Sequence, residues 1–328
     1  MLNMRRVIRN ACLSLGLLGC CPAALLAQGT YPERPIRLLV GLTAGGPSDL
    51  LARTIAGGLQ KELGTTIAVE NRAGAGGIVA ASAITQAPAD GYTILFAAMP
   101  AVVFVPLLNS KLPYQQERDF VPIGTIASYS LFLFANPDLP ARNVPDLIKL
   151  AKSKPGELTF ASGGNGTSNH LSGELMKRMA GIEMLHVPYK GNVTAQQDVI
   201  AGRVSVMFDF LSTSKQFVDN GRLRMLATTG KARSRFAPDV PTLEESGLKG
   251  FDLTAWFGLF TRAGTPKPIV DKLNAALRAT LATPEMQQQL TAQGYDVMPG
   301  SSDELSERIK ADFALWTPVI KGAGITAN

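Results

Sequence analysis

Short apolar runs alternate with amphipathic stretches along most of this chain, the pattern of an α/β protein with a mainly parallel sheet. The expected strands are Ile36 to Val40, Thr65 to Glu70, Thr93 to Ala97, Leu158 to Ser162, Val204 to Phe208 and Met225 to Thr228. Leu50, Leu51, Ile55, Leu59 and Leu63 recur at helical spacing, as do Leu171, Leu175, Met176 and Met179. Val144 to Ser153, Val193 to Ala201 and Lys215 to Asn220 also have helical composition. The last quarter is more purely helical, over Pro268 to Leu281, Pro284 to Gln293 and Asp303 to Ile320. Pro284 suits a helix start, Gly294 a helix end, and Ser301 with Glu304 a capping box. Ile309, Phe313, Trp316 and Ile320 form a stripe expected in the core.

Two further stretches, Val121 to Ala135 and Phe251 to Phe260, are extended, apolar and bounded by Gly or Pro. They are expected to be crossings between two lobes rather than interior elements. Residues 28–129 with 254–328 would then form one lobe, and residues 130–253 the other. A cleft between lobes is where small ligands bind preferentially, and hinge closure could bury one there.

The strand at Arg37 to Val40 leads into Gly41-Leu42-Thr43-Ala44-Gly45-Gly46-Pro47-Ser48-Asp49 and then straight into a helix. Unpaired N–H groups and the positive end of the helix dipole converge at such a turn, and glycines let an anion approach the backbone. Asp49 and Arg53 are spaced as an i,i+4 pair. Gly163-Gly164-Asn165-Gly166-Thr167-Ser168 repeats the construction after the Leu158 to Ser162 strand, so two turns could face each other. Neither turn is a phosphate loop, because no Lys-Ser or Lys-Thr follows at the required spacing. Asn169 replaces the third small residue of a dinucleotide fingerprint, so no cofactor is expected.

Residues Met1 to Ala27 carry Arg5, Arg6 and Arg9, no acid, and an apolar stretch with a small-residue end, the layout of a secretory leader. The expected cut follows Ala27, with Leu17-Leu18-Gly19-Cys20 as a rival lipoprotein signal that would anchor Cys20. The mature chain is therefore expected to be exported, and the resemblance given below implies the periplasm as its location. All three cysteines, Cys12, Cys20 and Cys21, lie in this leader, so the body has no disulfide and no thiolate chemistry. Without the leader, 29 basic residues face 26 acids and net charge falls from +6 to +3. No Lys/Arg cluster with interleaved aromatics remains, which argues against nucleic-acid binding.

Several stretches resemble the periplasmic solute receptors of tripartite tricarboxylate transporters, the Bug or TctC-type family. They include Tyr31-Pro32-Glu33-Arg34-Pro35-Ile36, Ala44-Gly45-Gly46-Pro47-Ser48-Asp49 and Val69-Glu70-Asn71-Arg72-Ala73-Gly74-Ala75-Gly76-Gly77. Asp90-Gly91-Tyr92-Thr93, His186-Val187-Pro188-Tyr189-Lys190-Gly191, Val206-Met207-Phe208-Asp209, Asp239-Val240-Pro241-Thr242 and Trp256-Phe257-Gly258 follow in order. The resemblance implies a type II periplasmic binding-protein fold, with two α/β lobes joined by two crossing segments and a ligand cleft between them. It implies capture of a small organic carboxylate and its delivery to membrane permease subunits, by a protein expected to be a monomer and not an enzyme. By the same resemblance the ligand-binding residues are Ala44, Gly45, Gly46, Ser48 and Asp49 from the first turn, and Ser162, Gly166, Thr167, Ser168, His170 and Asp209 from the second half. Where relatives carry a proline and an aromatic before the first turn, this chain has Gly41 and Leu42; where they carry Gly-Thr-Ser-Gly-Thr, it has Ala97-Ala98-Met99-Pro100-Ala101. If Met99 and Ala101 face the cleft, hydroxyls are lost and apolar surface gained, which favours an acid with a less polar body, aromatic or branched, over citrate.

Two other uses remain open at this point. A sensor presenting the bound solute to a receptor ectodomain would have the same fold and pocket. An exported hydrolase would need Ser168, His170 and Asp209 as a triad, but no Gly-x-Ser-x-Gly elbow occurs, and a triad is judged by geometry. His186 is expected to be a structural partner at a strand end, and metal binding by the two histidines is not supported by their spacing. Arg72 and Lys190 could each attract an anion or sit in a solvated salt bridge.

Overall fold

The computed structural model describes residues 31–109 and 111–323, so the expected leader and Cys20 lie outside the described residues. The described residues begin with β1 (Ile36–Val40), buried except at Arg37, then α1 (Pro47–Leu63), β2 (Ile67–Asn71), a 3-10 turn at Ala75–Gly77, α2 (Ile78–Thr85) and β3 (Thr93–Ala98). A π-helical turn at Pro100–Phe104 runs into α3 (Val105–Leu108), α4 (Gln116–Asp119) and β4 (Phe120–Ser130). After Leu131 come β5 (Phe132–Ala135), α5 (Val144–Ser153), β6 (Thr159–Ser162), α6 (Ser168–Ala180), β7 (Leu185–Pro188), α7 (Asn192–Ile200), β8 (Val206–Asp209), α8 (Leu211–Asp219) and β9 (Arg224–Thr228). The chain closes with β10 (Thr254–Arg262), α9 (Lys267–Ala282), α10 (Pro284–Ala292), β11 (Asp296–Val297) and α11 (Ser302–Ala323). One sheet has the order β11-β4-β10-β3-β1-β2 and the other β7-β6-β8-β5-β9.

The parallel βαβ units are present, with β1 beside β2 and β3, and β6 beside β7 and β8. The expectation of a mainly parallel sheet needs correction, because β10 pairs antiparallel with both β3 and β4, and β5 antiparallel with β8 and β9. The two stretches read as crossings do lead from one sheet to the other, but they are also interior strands rather than connectors alone. Ala255 to Thr261 is buried without interruption in β10, at the centre of its sheet. A continuous apolar run of that kind is what a strand covered on both faces requires.

The passages between the sheets are short and laced together. Leu131 and Thr229 exchange backbone contact, with Thr229 N–H donating to Leu131 O at 2.8 Å and Leu253 N–H donating to Thr229 O at 2.9 Å. The Thr229 hydroxyl accepts from Leu131 N–H and donates to Leu253 O.

Local sequence explains most of the helix boundaries. Asn143 caps α5 by accepting from Asp146 N–H, Pro284 opens α10, and Ser301 with Glu304 closes a reciprocal capping box on α11. Ile309, Trp316 and Ile320 of α11 are buried. The Trp256 indole N–H donates to Asp312 Oδ2 at 2.7 Å, tying α11 to β10. Gly173 of α6 lies flat on Phe160, where an added methyl would sit 2.2 Å from the ring, so glycine sets how closely α6 packs on its sheet. Among the described residues no helix is long and apolar enough to cross a membrane.

Candidate functional site

A cavity of about 980 Å³ lies where the turns after β1 and β6 meet. That is the upper end of the usual size for small-molecule sites. Gly46 brings no side chain to cap α1, so the N–H groups of the first helical turn are left without a side-chain acceptor. The N-terminus of α7 is likewise uncapped by any side chain, and residues 191–194 line the cavity. At α6, Thr167 accepts from His170 N–H at 3.4 Å and donates to Gly164 O at 2.7 Å.

The floor is aromatic. Phe96 stacks on Phe257 at 5.1 Å, Phe257 on Tyr129 at 4.7 Å, and Tyr129 contacts Phe210 at 5.0 Å. This column runs from the first sheet to the second, and the Tyr129 hydroxyl hydrogen-bonds Ser168 Oγ at 3.0 Å. The rims also meet. A methyl at Gly76 would lie 3.3 Å from Asn165 O, one at Gly166 3.2 Å from Val105 Cγ2, and one at Gly191 3.5 Å from Thr43 Oγ1. Gly76 and Gly166 have φ of 66° and 77°, so both close approach and backbone conformation favour glycine there.

Of the residues expected at the site, Ala44, Gly45, Gly46, Ser48, Thr167 and Ser168 line the cavity. Asp49, Ser162, Gly166, His170 and Asp209 stand behind its wall and hold the turns. Asp49 accepts from Gly45 N–H at 2.9 Å, Asn71 at 2.9 Å and Arg53 at 3.0 Å. Burial alone would raise its pKa, but the bonds from Arg53, Gly45 and Asn71 outweigh it and keep the carboxyl below its ordinary value. Asp209 is fully buried and accepts from Asn192 at 2.6 Å, Thr213 at 3.0 Å and Ser214 at 3.1 Å. Burial pushes its pKa up to about 6, against the opposing pull of these bonds. Asp209 thereby positions Asn192, which lines the cavity.

The second turn hangs on two histidines. Gly166 N–H donates to His170 Nδ1 at 3.2 Å, and His186 Nε2 lies 2.7 Å from the Ser162 hydroxyl, which accepts from Gly164 N–H. The imidazoles stack at 4.1 Å, with Phe160 against His186 at 4.8 Å. Burial, then Lys177, pushes His170 down to about 4. Burial and the neighbouring His170 push His186 to about 4 as well, against a small opposing effect of Glu174. Both rings are therefore neutral over most of the pH range. Ser168, His170 and Asp209 bond to Tyr129, Gly166 and Asn192 respectively rather than forming a relay, so the triad geometry is not built.

Sequence reasoning missed Tyr129, Asn169, Asn192 and Phe210 in the cavity wall. Their contacts come from tertiary packing; an Asn that follows the glycine turn was the one local signal. Ala97, Ala98 and Ala101 line the cavity, while Met99 is buried elsewhere. Arg72 pairs with Glu70 at 2.6 Å. Lys190 lines the cavity and is the one charged side chain to do so among the described residues.

Two α/β sheets joined by short laced passages, with a partly open cavity lined by helix-opening turns from both, define a binding protein of the periplasmic solute-receptor type. The TctC family, described as the tripartite tricarboxylate transporter family receptor, matches residues 51–325, and the chain belongs to it. The chain is similar to the protein BugT of Bordetella pertussis, 32% identical over 324 residues, covering 98% of this chain and 99% of BugT. It is similar in structure to R. palustris Rpa4515, solved with adipate, at a TM-score of 0.86 and 35% identity over 90% of this chain and 99% of that one. MatC from Rhodopseudomonas palustris, solved with bound malate, has a TM-score of 0.83 and 31% identity over 88% of this chain and all of its own.

Proposed function

We propose that this protein is an exported receptor that captures a small organic carboxylate between two lobes and hands it to the membrane subunits of a tripartite tricarboxylate-type transporter. The lobes are residues 28–129 with 254–328, and residues 130–253, hinged where Leu131, Thr229 and Leu253 lie side by side. The observation that carries this is the convergence of uncapped helix-opening N–H groups from both halves on one cavity. A carboxylate accepting from both would favour the closed form, because a ligand shifts such an equilibrium only by binding one state better. Relatives solved with adipate and malate support the ligand class. Among the described residues the wall has no carboxylate to hold an ammonium group, which argues against an amino acid. Ala97, Ala98, Ala101 and Leu42 give it an apolar stretch, so the acid has a weakly polar body; an unmatched polar group there would cost about 1 to 3 kcal/mol.

Thermal unfolding of the protein from Gln28 onward, stripped of ligand and scanned against aliphatic, aromatic, polycarboxylic and amino acids, tests this. An acid at about 1,000 times its dissociation constant should add about 4 kcal/mol of stability. A selective rise with one weakly polar acid is expected. Citrate or malate as the tightest ligand would refute the apolar body, and no rise with any acid would refute carboxylate capture.

A further inference from the structure

Lys190 follows Tyr189 in the loop between β7 and α7, where the two halves touch. The neighbouring Gly191 faces Thr43 of the first turn, and the carbonyl of Tyr189 comes within 3.3 Å of a methyl placed on Gly164 of the second turn. A side chain rooted there belongs to the rim of the cavity, and Lys190 is exposed while lining it. The other basic residues near the turns are engaged: Arg53 by Asp49, Arg72 and Arg37 by Glu70, and Lys177 by Glu174. Lys190 has no acidic partner among the described residues, and the nearby carboxylates of Asp49 and Asp209 are buried in contacts of their own.

The rest of the wall can hold an anion only with neutral donors. Backbone N–H groups, the Ser48 hydroxyl and the amide hydrogens that Asn169 and Asn192 do not spend on Phe208 O and Asp209 are donors without a formal charge. Ser48 is 5% exposed and lines the cavity. A second carboxylate on the same ligand would enter against the repulsion of the first, in a cleft whose closure excludes water and so strengthens every charge interaction. A mobile ammonium at the rim offsets that repulsion, and a monoanion gains less from it.

We propose that Lys190 is a specificity-determining residue that selects dianionic over monoanionic ligands of the same length. The ligand class narrows to dicarboxylates with an apolar spacer. This inference rests on the carboxylate-receptor reading above.

The test compares wild type with Lys190→Gln and Lys190→Arg by calorimetric titration against matched pairs: succinate and butyrate, adipate and hexanoate, suberate and octanoate, phthalate and benzoate. Lys190 is exposed, so neither substitution should disturb folding, which unfolding curves without ligand will check. Wild type should prefer the diacid of its best pair. Lys190→Gln should lower diacid affinity about five- to tenfold while changing the monoacid by less than about twofold, and Lys190→Arg should restore the preference. Raising salt should narrow the diacid preference of wild type and leave that of Lys190→Gln nearly flat. If wild type binds acids but Lys190→Gln changes both members of a pair equally, or neither, the assignment of Lys190 is overturned and the receptor reading survives. If wild type binds no acid of the panel, the receptor reading itself fails, and this inference with it.

Discussion

His170→Gln should flatten the acid side of the protein's stability curve. The Nδ1 atom of His170 accepts the Gly166 N–H and its ring stacks on His186, so the second turn is built on neutral imidazoles. His170 is 5% exposed, and burial pushes it down to about 4. The unfolded chain takes up this proton near pH 6.5 and the folded one only near 4, so between those values the unfolded state holds more protons and stability falls as pH falls. From pH 7 to pH 5 the loss through His170 alone is about 2 kcal/mol. His186 adds a loss of the same sign in the same window. Asp209 acts oppositely: burial pushes its pKa up to about 6, so the folded state holds its proton more tightly and gains stability as pH falls from 6 towards 4. From pH 7 to pH 5 that gain is about 1 kcal/mol against about 2 kcal/mol lost through each histidine, leaving a net loss of about 2 to 3 kcal/mol for wild type. Urea unfolding at pH 7 and pH 5, without ligand, reads this directly. His170→Gln should be less stable than wild type at pH 7 by about 1 kcal/mol, from its lost bond and stacking, yet nearly independent of pH. Parallel curves for variant and wild type would refute the reasoning.

Asp49→Ala leaves Gly45 N–H and Asn71 without their acceptor, so it should cost about 1 to 3 kcal/mol in urea unfolding and weaken carboxylate affinity about tenfold in titration; lost stability with unchanged affinity would make the first turn purely structural. Gly76→Ala places a methyl at φ 66° against Asn165 O. It should weaken ligand binding by holding the rims apart while costing about 1 to 2 kcal/mol in stability, and unchanged affinity would count against closure at this point.

How far the sequence speaks for itself differs by element. The glycine turns were legible because a strand, a glycine cluster and an amphipathic helix in succession leave few alternatives, and α5 occupies the expected Val144–Ser153. β10 was not, since a continuous apolar run reads equally as a connector or as a strand buried on both faces, and only pairing with β3 and β4 distinguishes them. The same limit applied to the cavity wall. Ser48 and Thr167 sit on the turns that announce them, whereas Tyr129 and Phe210 reach the cavity through the fold alone. Asp49, His170 and Asp209 carried a chemical signal that drew attention to them as ligand contacts; the geometry places them one layer back, as acceptors that fix the backbone and side-chain donors in front. Lys190 was ambiguous until its neighbours were placed.

The central claim is that a carboxylate is held by helix-opening N–H groups of both halves at once. A crystal structure with the tightest-binding acid tests it most directly. One carboxylate within hydrogen-bond reach, directly or through one ordered water, of N–H groups at 48–49 and at 192–194 is the expected result; an acid bound to one half alone, or outside the cavity, would contradict it.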